Sequence, residues 1–111
     1  RDSGPTPYGL LAAALGACTA MTVRMYAERH GWPLTRVRVR LAHDTVHAKD
    51  CAECESRVGR VDRLERFVRL EGPLTDEQRA RLLHVADLCP VHRTLESKVD
   101  VRTRWDDSST E

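Results

Sequence analysis

The chain has 111 residues, which is the size of one domain, and its 18 basic residues nearly balance its 17 acidic residues. This balance gives no charge-based argument for a nucleic-acid partner or for an acidic membrane surface. Aromatic residues make up 5% of the chain, too few for a platform on which single-stranded nucleic acid stacks. No uninterrupted apolar run reaches the roughly 18–20 residues that a spanning helix needs. The composition therefore predicts a cytoplasmic protein without a membrane segment, where unlinked thiols are normal.

The first predicted element is a long apolar helix. Thr6 is a suitable N-cap, and Pro7 fits the first helical position, where an N–H has no intrahelical partner. Apolar residues recur at helical spacing through the run Leu10–Val23 and cover nearly all sides of the first three turns. This pattern predicts a helix that is buried on most sides and that stops at Gly31.

Two strands are predicted next along the chain. Apolar residues alternate with arginines over residues 36–41, as in a strand with one wet face. The polar stretch over residues 44–60 is interpreted as an extended hairpin connection. The apolar residues of Val61–Glu71 fit a strand or a helix, and the alternation of Val68 and Leu70 with charged residues favours a strand.

The last third of the chain predicts two helices and a strand. Thr75 and Gln78 form a capping box that starts a helix, whose inner face is expected to contain Leu82, Leu83, Val85, Ala86 and Cys89. Pro90–Glu96 is predicted to be a short helix, Val99–Trp105 a strand, and residues 106–111 a frayed tail.

This order of elements predicts the α+β class. An antiparallel sheet is expected to pack on a long, buried central helix, because each element buries one apolar face against another. Residues 1–111 show no internal repeat and no second set of elements, so they are interpreted as a single domain.

Two of the four cysteines lie in helical patterns. Cys18 lies within the apolar helix, and Cys89 immediately precedes Pro90. A buried cysteine is most often a small core residue, and Cys18 has no charge within one turn. Cys89 precedes a short helix whose free N–H groups favour a thiolate, or it is a helix-end residue selected for its size. The leading hypothesis is a redox pair, Cys18 and Cys89, that meets in space.

The other two cysteines form a CxxC motif. Cys51 and Cys54 have three acidic neighbours, and together with His43 and His47 they could supply the four ligands of a zinc site. A redox disulfide and an inert loop are the alternatives, because an isolated CxxC is a weak signal. The leading hypothesis assigns no metal and no cofactor to the chain.

Several arginines occupy informative positions on the predicted strands. Arg36, Arg38 and Arg40 predict a solvated face paired with acids on the next strand, in preference to a phosphate-binding strip. Arg66 falls among the inward positions of the second strand. There it would orient an anion or a thiolate, unless a register slip or a bulge places it in water.

The surroundings of the two helical cysteines resemble those of the OsmC/Ohr family, the osmotically induced and organic hydroperoxide resistance proteins. The resemblance is carried by Pro7–Ala13 ahead of Cys18 and by Cys89–His92 with Leu95 behind it. It covers nearly all of residues 4–104 and includes the order of elements. The acidic CxxC box looks like that of an OsmC-like subgroup distinct from the best-studied peroxidases.

The resemblance implies a peroxidase with two catalytic cysteines. In the family the first cysteine, here Cys18, attacks the O–O bond of a hydroperoxide and becomes a sulfenic acid. The second, here Cys89, condenses with it to a disulfide, which a dithiol or lipoyl-type reductant reduces. A small apolar hydroperoxide suits a site lined by apolar helix residues. The resemblance also implies an intertwined homodimer, with the sites at the subunit interface.

Two departures distinguish this chain from the family's peroxidases. Tyr8 and Gly9 stand where those enzymes have a carboxylate after the proline of the first motif. The arginine that pairs with this carboxylate belongs to an N-terminal strand, which we expect residues 1–111 to lack. Either another residue, such as Arg66 or one from a partner, activates Cys18, or peroxidase activity is weak. The alternative function is a metal-binding or regulatory OsmC-like module.

Overall fold

The computed structural model describes residues 6–47 and 60–106. These residues form, in order, α1 (Pro7–Arg29), β1 (Arg36–His47), β2 (Arg60–Glu71), α2 (Asp76–Ala86) and α3 (Pro90–Leu95). The predicted α+β class is confirmed, because the strands form an antiparallel pair and α1 packs against β1 and both shorter helices.

The helix α1 begins and ends as the sequence predicts. Thr6 has extended backbone angles, and its side chain accepts a hydrogen bond of 2.9 Å from the Gly9 N–H. After Arg29 the chain turns at Gly31, whose φ of +69° lies in the left-handed region that favours glycine. The buried positions share one side of the helix and are Leu15, Gly16, Thr19, Val23 and Ala27.

The other side of α1 differs from the expectation. The sequence predicts burial on most sides, yet Leu10, Met21 and Met25 are all more than half exposed at 58%, 63% and 56%. The reason is that the described residues cover α1 on one side only, with β1, α2 and α3. The outer side of α1 is therefore an apolar surface of the single chain.

The length and apolar character of α1 also meet the criterion for a helix able to cross a membrane. The sequence predicts no membrane segment, because no apolar run is uninterrupted over roughly 18 residues. A mean hydropathy over 18 residues can still be high when a few polar residues interrupt the run, as they do in α1. Core helices of soluble proteins meet the same criterion, and α1 packs a buried stripe against its neighbours. The criterion by itself is weak evidence for a membrane span.

The strands β1 and β2 pair continuously along their full lengths. This pairing confirms the strand interpretation of residues 61–71 over the helical one. Residues 44–47, expected in the polar connection, extend β1 instead, because each of them lies opposite a residue of β2. Residues 48–59, which join the two strands, lie outside the described residues.

The two faces of the sheet have different partners. The inward positions of β2 are half-buried and are Leu64, Arg66, Val68 and Leu70. The register is continuous, so Arg66 lies inward as the alternation predicts. On the exposed face, Arg38 Nε lies 3.4 Å from Glu71 Oε2, and the Arg40 guanidinium lies 4.1 Å from the centre of the Phe67 ring. The arginine ladder is thus solvated and pairs partly with an acid, as predicted.

The helix α2 begins with the predicted capping box, in which Thr75 and Gln78 exchange two hydrogen bonds of 3.0 Å. It ends at Ala86, earlier than the predicted end at Cys89. Cys89 has an extended backbone (φ −57°, ψ 130°), because the residue before a proline is kept out of the helical region. Leu83, predicted to face inward, is 56% exposed.

The short helix α3 is confirmed, but the predicted strand Val99–Trp105 is wrong. Residues 98–106 have no regular secondary structure, and Val101 and Trp105 are 83% and 93% exposed. A strand needs a neighbour for its backbone hydrogen bonds, and within the described residues β1 and β2 pair only with each other. Most of the predicted tail, residues 107–111, lies outside the described part of the chain.

The core lies where α1 crosses α2. Val23 and Ala27 of α1 pack against Leu82 and Ala86 of α2, and all four are fully or almost fully buried. Half-buried side chains surround them: Tyr26, Trp32, Leu34, Val37, Leu70 and Leu74. This contact fixes the end of α2, which leads into the turn that contains Cys89, against the C-terminal half of α1.

Gly72 is required both by its backbone angle and by its surroundings. Its φ is +134°, and a Cβ there would collide with the Pro33 carbonyl oxygen. We expect Gly72→Ala to lower the free energy of unfolding by about 2–4 kcal/mol, because strain and overpacking add. Gly31→Ala is the control: its φ is also positive, but no atom lies within 4 Å of the new Cβ. We expect that variant to lose about 1 kcal/mol. Urea unfolding measures both losses, and equal values would contradict the close approach at Gly72.

Candidate active site

The structure brings the two predicted cysteines together. Cys18 lies in the middle of α1, and Cys89 lies in the turn that joins α2 to α3. Both are free thiols, and their side chains form a hydrogen bond. Cys89 is fully buried, whereas Cys18 is partly exposed. Cys18 is therefore the more accessible residue of the pair.

Opposing effects act on the pKa of Cys89. Burial raises this pKa, because a buried sulfur loses the solvation of its charged form. Hydrogen bonds act in the other direction: first from the Cys18 side chain, then from the backbone N–H groups of His92 and Val91, and last from the Thr19 side chain. Together they hold the pKa of Cys89 below its ordinary value of 9.0. The two N–H groups are available because Cys89 is the N-cap of α3, as predicted.

Arg66 lies beside the thiol pair and is held by two hydrogen bonds. Its guanidinium donates to Thr19 Oγ1 at 3.1 Å and to Asp87 Oδ1 at 2.7 Å, and its side chain is only 10% exposed. Thr19 is fully buried and donates to the Leu15 carbonyl at 2.7 Å. Because the Thr19 side chain also lowers the pKa of Cys89, the hydroxyl that accepts from Arg66 is one of the groups that favour the thiolate.

A cavity of about 480 Å³ opens among the start of α1, the sheet and α3. Its apolar lining comes from Tyr8, Leu11, Leu15, Val61, Leu64 and Leu95. A smaller cavity of about 230 Å³ shares Leu15, Leu64 and His92 with it and reaches Arg66 and Asp87. The two cavities thus adjoin the residues that flank both thiols, and their lining suits an apolar molecule with a small polar end.

Two histidine–carboxylate pairs line the larger cavity. His43 Nε2 lies 3.0 Å from Asp62 Oδ1, and His92 Nε2 lies 3.2 Å from Glu96 Oε1. The ring of Tyr8 stacks on His43 with 4.7 Å between the centroids. At the position where the resembling peroxidases have a carboxylate, this chain therefore has a phenol ring that covers an imidazole.

The structure does not test the predicted zinc site. Cys51, Cys54 and the side chain of His47 lie outside the described residues, and His43 forms its pair with Asp62. Among the described residues, no group of three or more metal-ligating side chains lies close enough to hold an ion. The zinc hypothesis for the CxxC motif stays a prediction.

Comparison with known proteins decides the family of the chain. A sequence model described as OsmC-like protein matches residues 1–104. The chain belongs to the OsmC family. No curated protein sequence matches it significantly. Solved structures share the fold of this OsmC protein at low identity, so they support the fold alone.

Three of these structures illustrate the likeness. An OsmC-like hydroperoxide resistance protein from Jannaschia sp. CCS1 is 24% identical, with a TM-score of 0.64 over 99% of this chain and 74% of that one. The organic hydroperoxide resistance protein OhrB of Bacillus subtilis is 20% identical, with a TM-score of 0.66 over 91% and 70%. An OsmC-like protein from Mycoplasma pneumoniae is 17% identical, with a TM-score of 0.66. This last match covers 86% of the chain but only 64% of the Mycoplasma protein, less than two thirds of its length.

Sequence reasoning identified Cys18, Cys89 and Arg66 as candidates and missed Thr19 and Asp87. Thr19 had a readable signal, because it directly follows Cys18 and falls on the buried stripe of α1. The sequence contains no signal that Asp87 belongs to the site, because an acidic residue just after a helix usually faces water. Its role depends on β2, which carries Arg66 to the end of α2.

Among the hydrogen bonds that lower the pKa of Cys89, the one from the Cys18 side chain has the largest effect. Removal of this hydrogen bond should therefore raise the pKa of Cys89. We expect Cys18→Ala to move the titration of Cys89 to higher pH, and Cys18→Ser to move it less because serine keeps a donor. With Cys51→Ala and Cys54→Ala in the background, Cys89 is the one remaining thiol. Thiolate absorbance at 240 nm against pH gives the midpoints. Identical midpoints for the alanine and serine variants would contradict the assigned hydrogen bond.

Proposed function

We propose that this OsmC protein is a cytoplasmic thiol peroxidase that reduces small organic hydroperoxides through Cys18 and Cys89. The observation that carries the proposal is the hydrogen bond between a partly exposed thiol and a buried thiol of lowered pKa. Family membership supports the same class, and two proteins that share the fold are named for hydroperoxide resistance.

Cys18 is the nucleophile in this proposal, because it is the partly exposed residue of the pair. The Cys89 thiolate first accepts the Cys18 proton across their hydrogen bond. The Cys18 thiolate then attacks the outer peroxide oxygen, and the O–O bond breaks with both electrons passing to the leaving oxygen. This alkoxide takes the proton back from Cys89 and leaves as an alcohol. Cys18 remains as a sulfenic acid, and Cys89 is again a thiolate.

Cys89 then resolves the sulfenic acid. Its thiolate attacks the sulfur of Cys18, the S–O bond breaks, and the hydroxide released takes a proton from solvent to become water. The Cys18 side chain already acts on Cys89 as a hydrogen-bonding neighbour, which favours disulfide formation between the two residues. A dithiol or lipoyl-type reductant returns the pair to two thiols and is itself oxidised to a disulfide.

The larger cavity, whose lining includes Leu15 and His92 from the two elements next to the thiols, indicates the substrate class. Its lining is apolar between two histidine–carboxylate pairs, and its volume of about 480 Å³ exceeds the need of hydrogen peroxide. Burial of an alkyl or aryl group stabilises an organic hydroperoxide there by about 25 cal/mol for each Å² of apolar surface removed from water. The two histidine–carboxylate pairs can form hydrogen bonds with the peroxide end of such a molecule.

A second copy of the chain is the proposed partner. The outer side of α1 exposes large apolar residues, and a shallow depression of about 380 Å³ beside β1 is lined by glycines, alanines and two apolar β1 residues. Small residues allow another helix to approach closely. A homodimer through this surface would bury α1 on most sides, as its apolar sequence predicts. No nucleic-acid or membrane partner is assigned.

The central test removes the nucleophile. We expect Cys18→Ser to lower turnover of cumene hydroperoxide with a dithiol reductant by at least about 10³-fold, because the variant has no thiolate that attacks oxygen. The paired variant Cys51→Ser/Cys54→Ser is the control and should keep its turnover. Equal activity of Cys18→Ser and the unchanged chain would contradict the proposal.

Mass spectrometry tests the order of the two cysteines. We expect Cys89→Ser to stop after one turnover with a single added oxygen on Cys18, since nothing then condenses with the sulfenic acid. The unchanged chain should instead yield a peptide with Cys18 linked to Cys89. Both thiols remaining free after excess organic peroxide would overturn the mechanism.

A further inference from the structure

We propose that Arg66 is a positioning residue that keeps negative charge on the Cys18–Cys89 pair, acting through the buried Thr19 hydroxyl, to which it donates a hydrogen bond. The inference rests on the proposed function, because a stabilised thiolate serves the proposed peroxidase cycle. Its test, however, uses neither peroxide nor reductant.

The placement of Arg66 is unusual for a strand residue. It occupies an inward position between the half-buried Leu64 and Val68, and its side chain is only 10% exposed. Burial of a guanidinium is unfavourable unless hydrogen bonds and an opposite charge compensate for lost water. Asp87 and Thr19 supply these contacts at 2.7 and 3.1 Å. The structure therefore holds a cation in one orientation next to the thiols.

The hydroxyl of Thr19 connects this cation to Cys89. A hydroxyl has one proton to donate and two lone pairs that accept. The Arg66 N–H occupies one lone pair, and the proton points to the Leu15 carbonyl at 2.7 Å. A Cys89 thiolate competes with the Leu15 carbonyl for this one proton. With one lone pair occupied by a cation, the oxygen is a poorer acceptor for a Cys89 S–H, and the hydroxyl is a stronger donor when its proton turns to the thiolate. Both effects favour the ionised sulfur.

The carboxylate of Asp87 does not cancel this effect. Its side chain is 59% exposed, against 10% for Arg66, so water screens the carboxylate more strongly than the guanidinium. The two contacts also use different nitrogens of Arg66: Nη2 donates to Asp87, and Nη1 donates to Thr19. Its contribution is to orient Arg66.

The groups that can influence Cys89 come from every neighbouring element. They are Cys18 and Thr19 from α1, Arg66 from β2, Asp87 from the turn after α2, and His92 from α3, which pairs with Glu96. Arg66 is the permanently charged cation among them. A test at this residue therefore separates the effect of its charge from the effects of the other groups.

The test measures the titration of Cys89 alone. In a chain with Cys18→Ser, Cys51→Ala and Cys54→Ala, thiolate absorbance at 240 nm against pH follows this one thiol. We expect Arg66→Met to shift the midpoint to higher pH and Arg66→Lys to shift it less, because lysine keeps the charge but not the planar fork. Arg69→Met is the matched control on the exposed face of β2 and should leave the midpoint unchanged. An unchanged midpoint in Arg66→Met would overturn the inference.

The route through Thr19 is tested by a double substitution. Thr19→Val removes the hydroxyl and keeps a similar shape. We expect the shift caused by Arg66→Met to become smaller in the Thr19→Val background, whereas fully additive shifts would overturn the route. Far-UV circular dichroism and urea unfolding check the fold of each variant, and Arg66→Gln replaces Arg66→Met if the latter does not fold.

These titrations separate the two proposals. If the chain consumes no organic peroxide but the Arg66→Met midpoint shifts, the peroxidase assignment fails and the role of Arg66 stands. If the chain is an active peroxidase and the midpoint does not shift, the role of Arg66 alone is wrong.

Discussion

The contact between α1 and α2 is the constraint on which the site depends. Val23 and Ala27 pack against Leu82 and Ala86, and full burial of a side chain such as valine or leucine stabilises the fold by about 1.5–3 kcal/mol. The thiols lie close to this contact in sequence, Cys18 on the same helix and Cys89 in the turn that follows α2. Helices are stiff, so the packing that stabilises the chain also sets the separation of the two sulfurs.

The site balances burial against ionisation. Burial of Cys89 opposes its charge and, without the surrounding donors, would leave an inert thiol. Hydrogen bonds from α1 and from the start of α3 reverse this effect, and Arg66 adds a held positive charge nearby. Cys18 remains open towards solvent, with apolar cavities adjoining its helix. Cys89 is thus placed for ionisation, and Cys18 is placed for access from solvent. This division suits the proposed cycle, in which Cys18 attacks the peroxide and Cys89 then attacks the sulfenic acid.

Most elements could be predicted because their signals are local. Thr6 with Pro7, the Thr75–Gln78 capping box and Gly31 after α1 act within one turn of the chain, and all were found as predicted. The inward position of Arg66 followed from simple alternation along β2. The segment 99–105 alternates equally well but is not a strand, because alternation supplies no partner for backbone hydrogen bonds. The same absence of neighbours explains why one apolar side of α1 is exposed.

The residue order alone specified the helices, the hairpin and the two cysteines as a redox candidate, since caps, breakers and periodicity work over a few positions. It did not specify which cysteine is fully buried, that Thr19 and Asp87 meet Arg66, or that the cavities adjoin residues that flank the thiols. Those features arise when α1, β2 and the turn after α2 pack together. Their physical cause is contact between groups far apart in the chain, where burial and a held charge act on a sulfur across space and leave no periodic trace in the sequence.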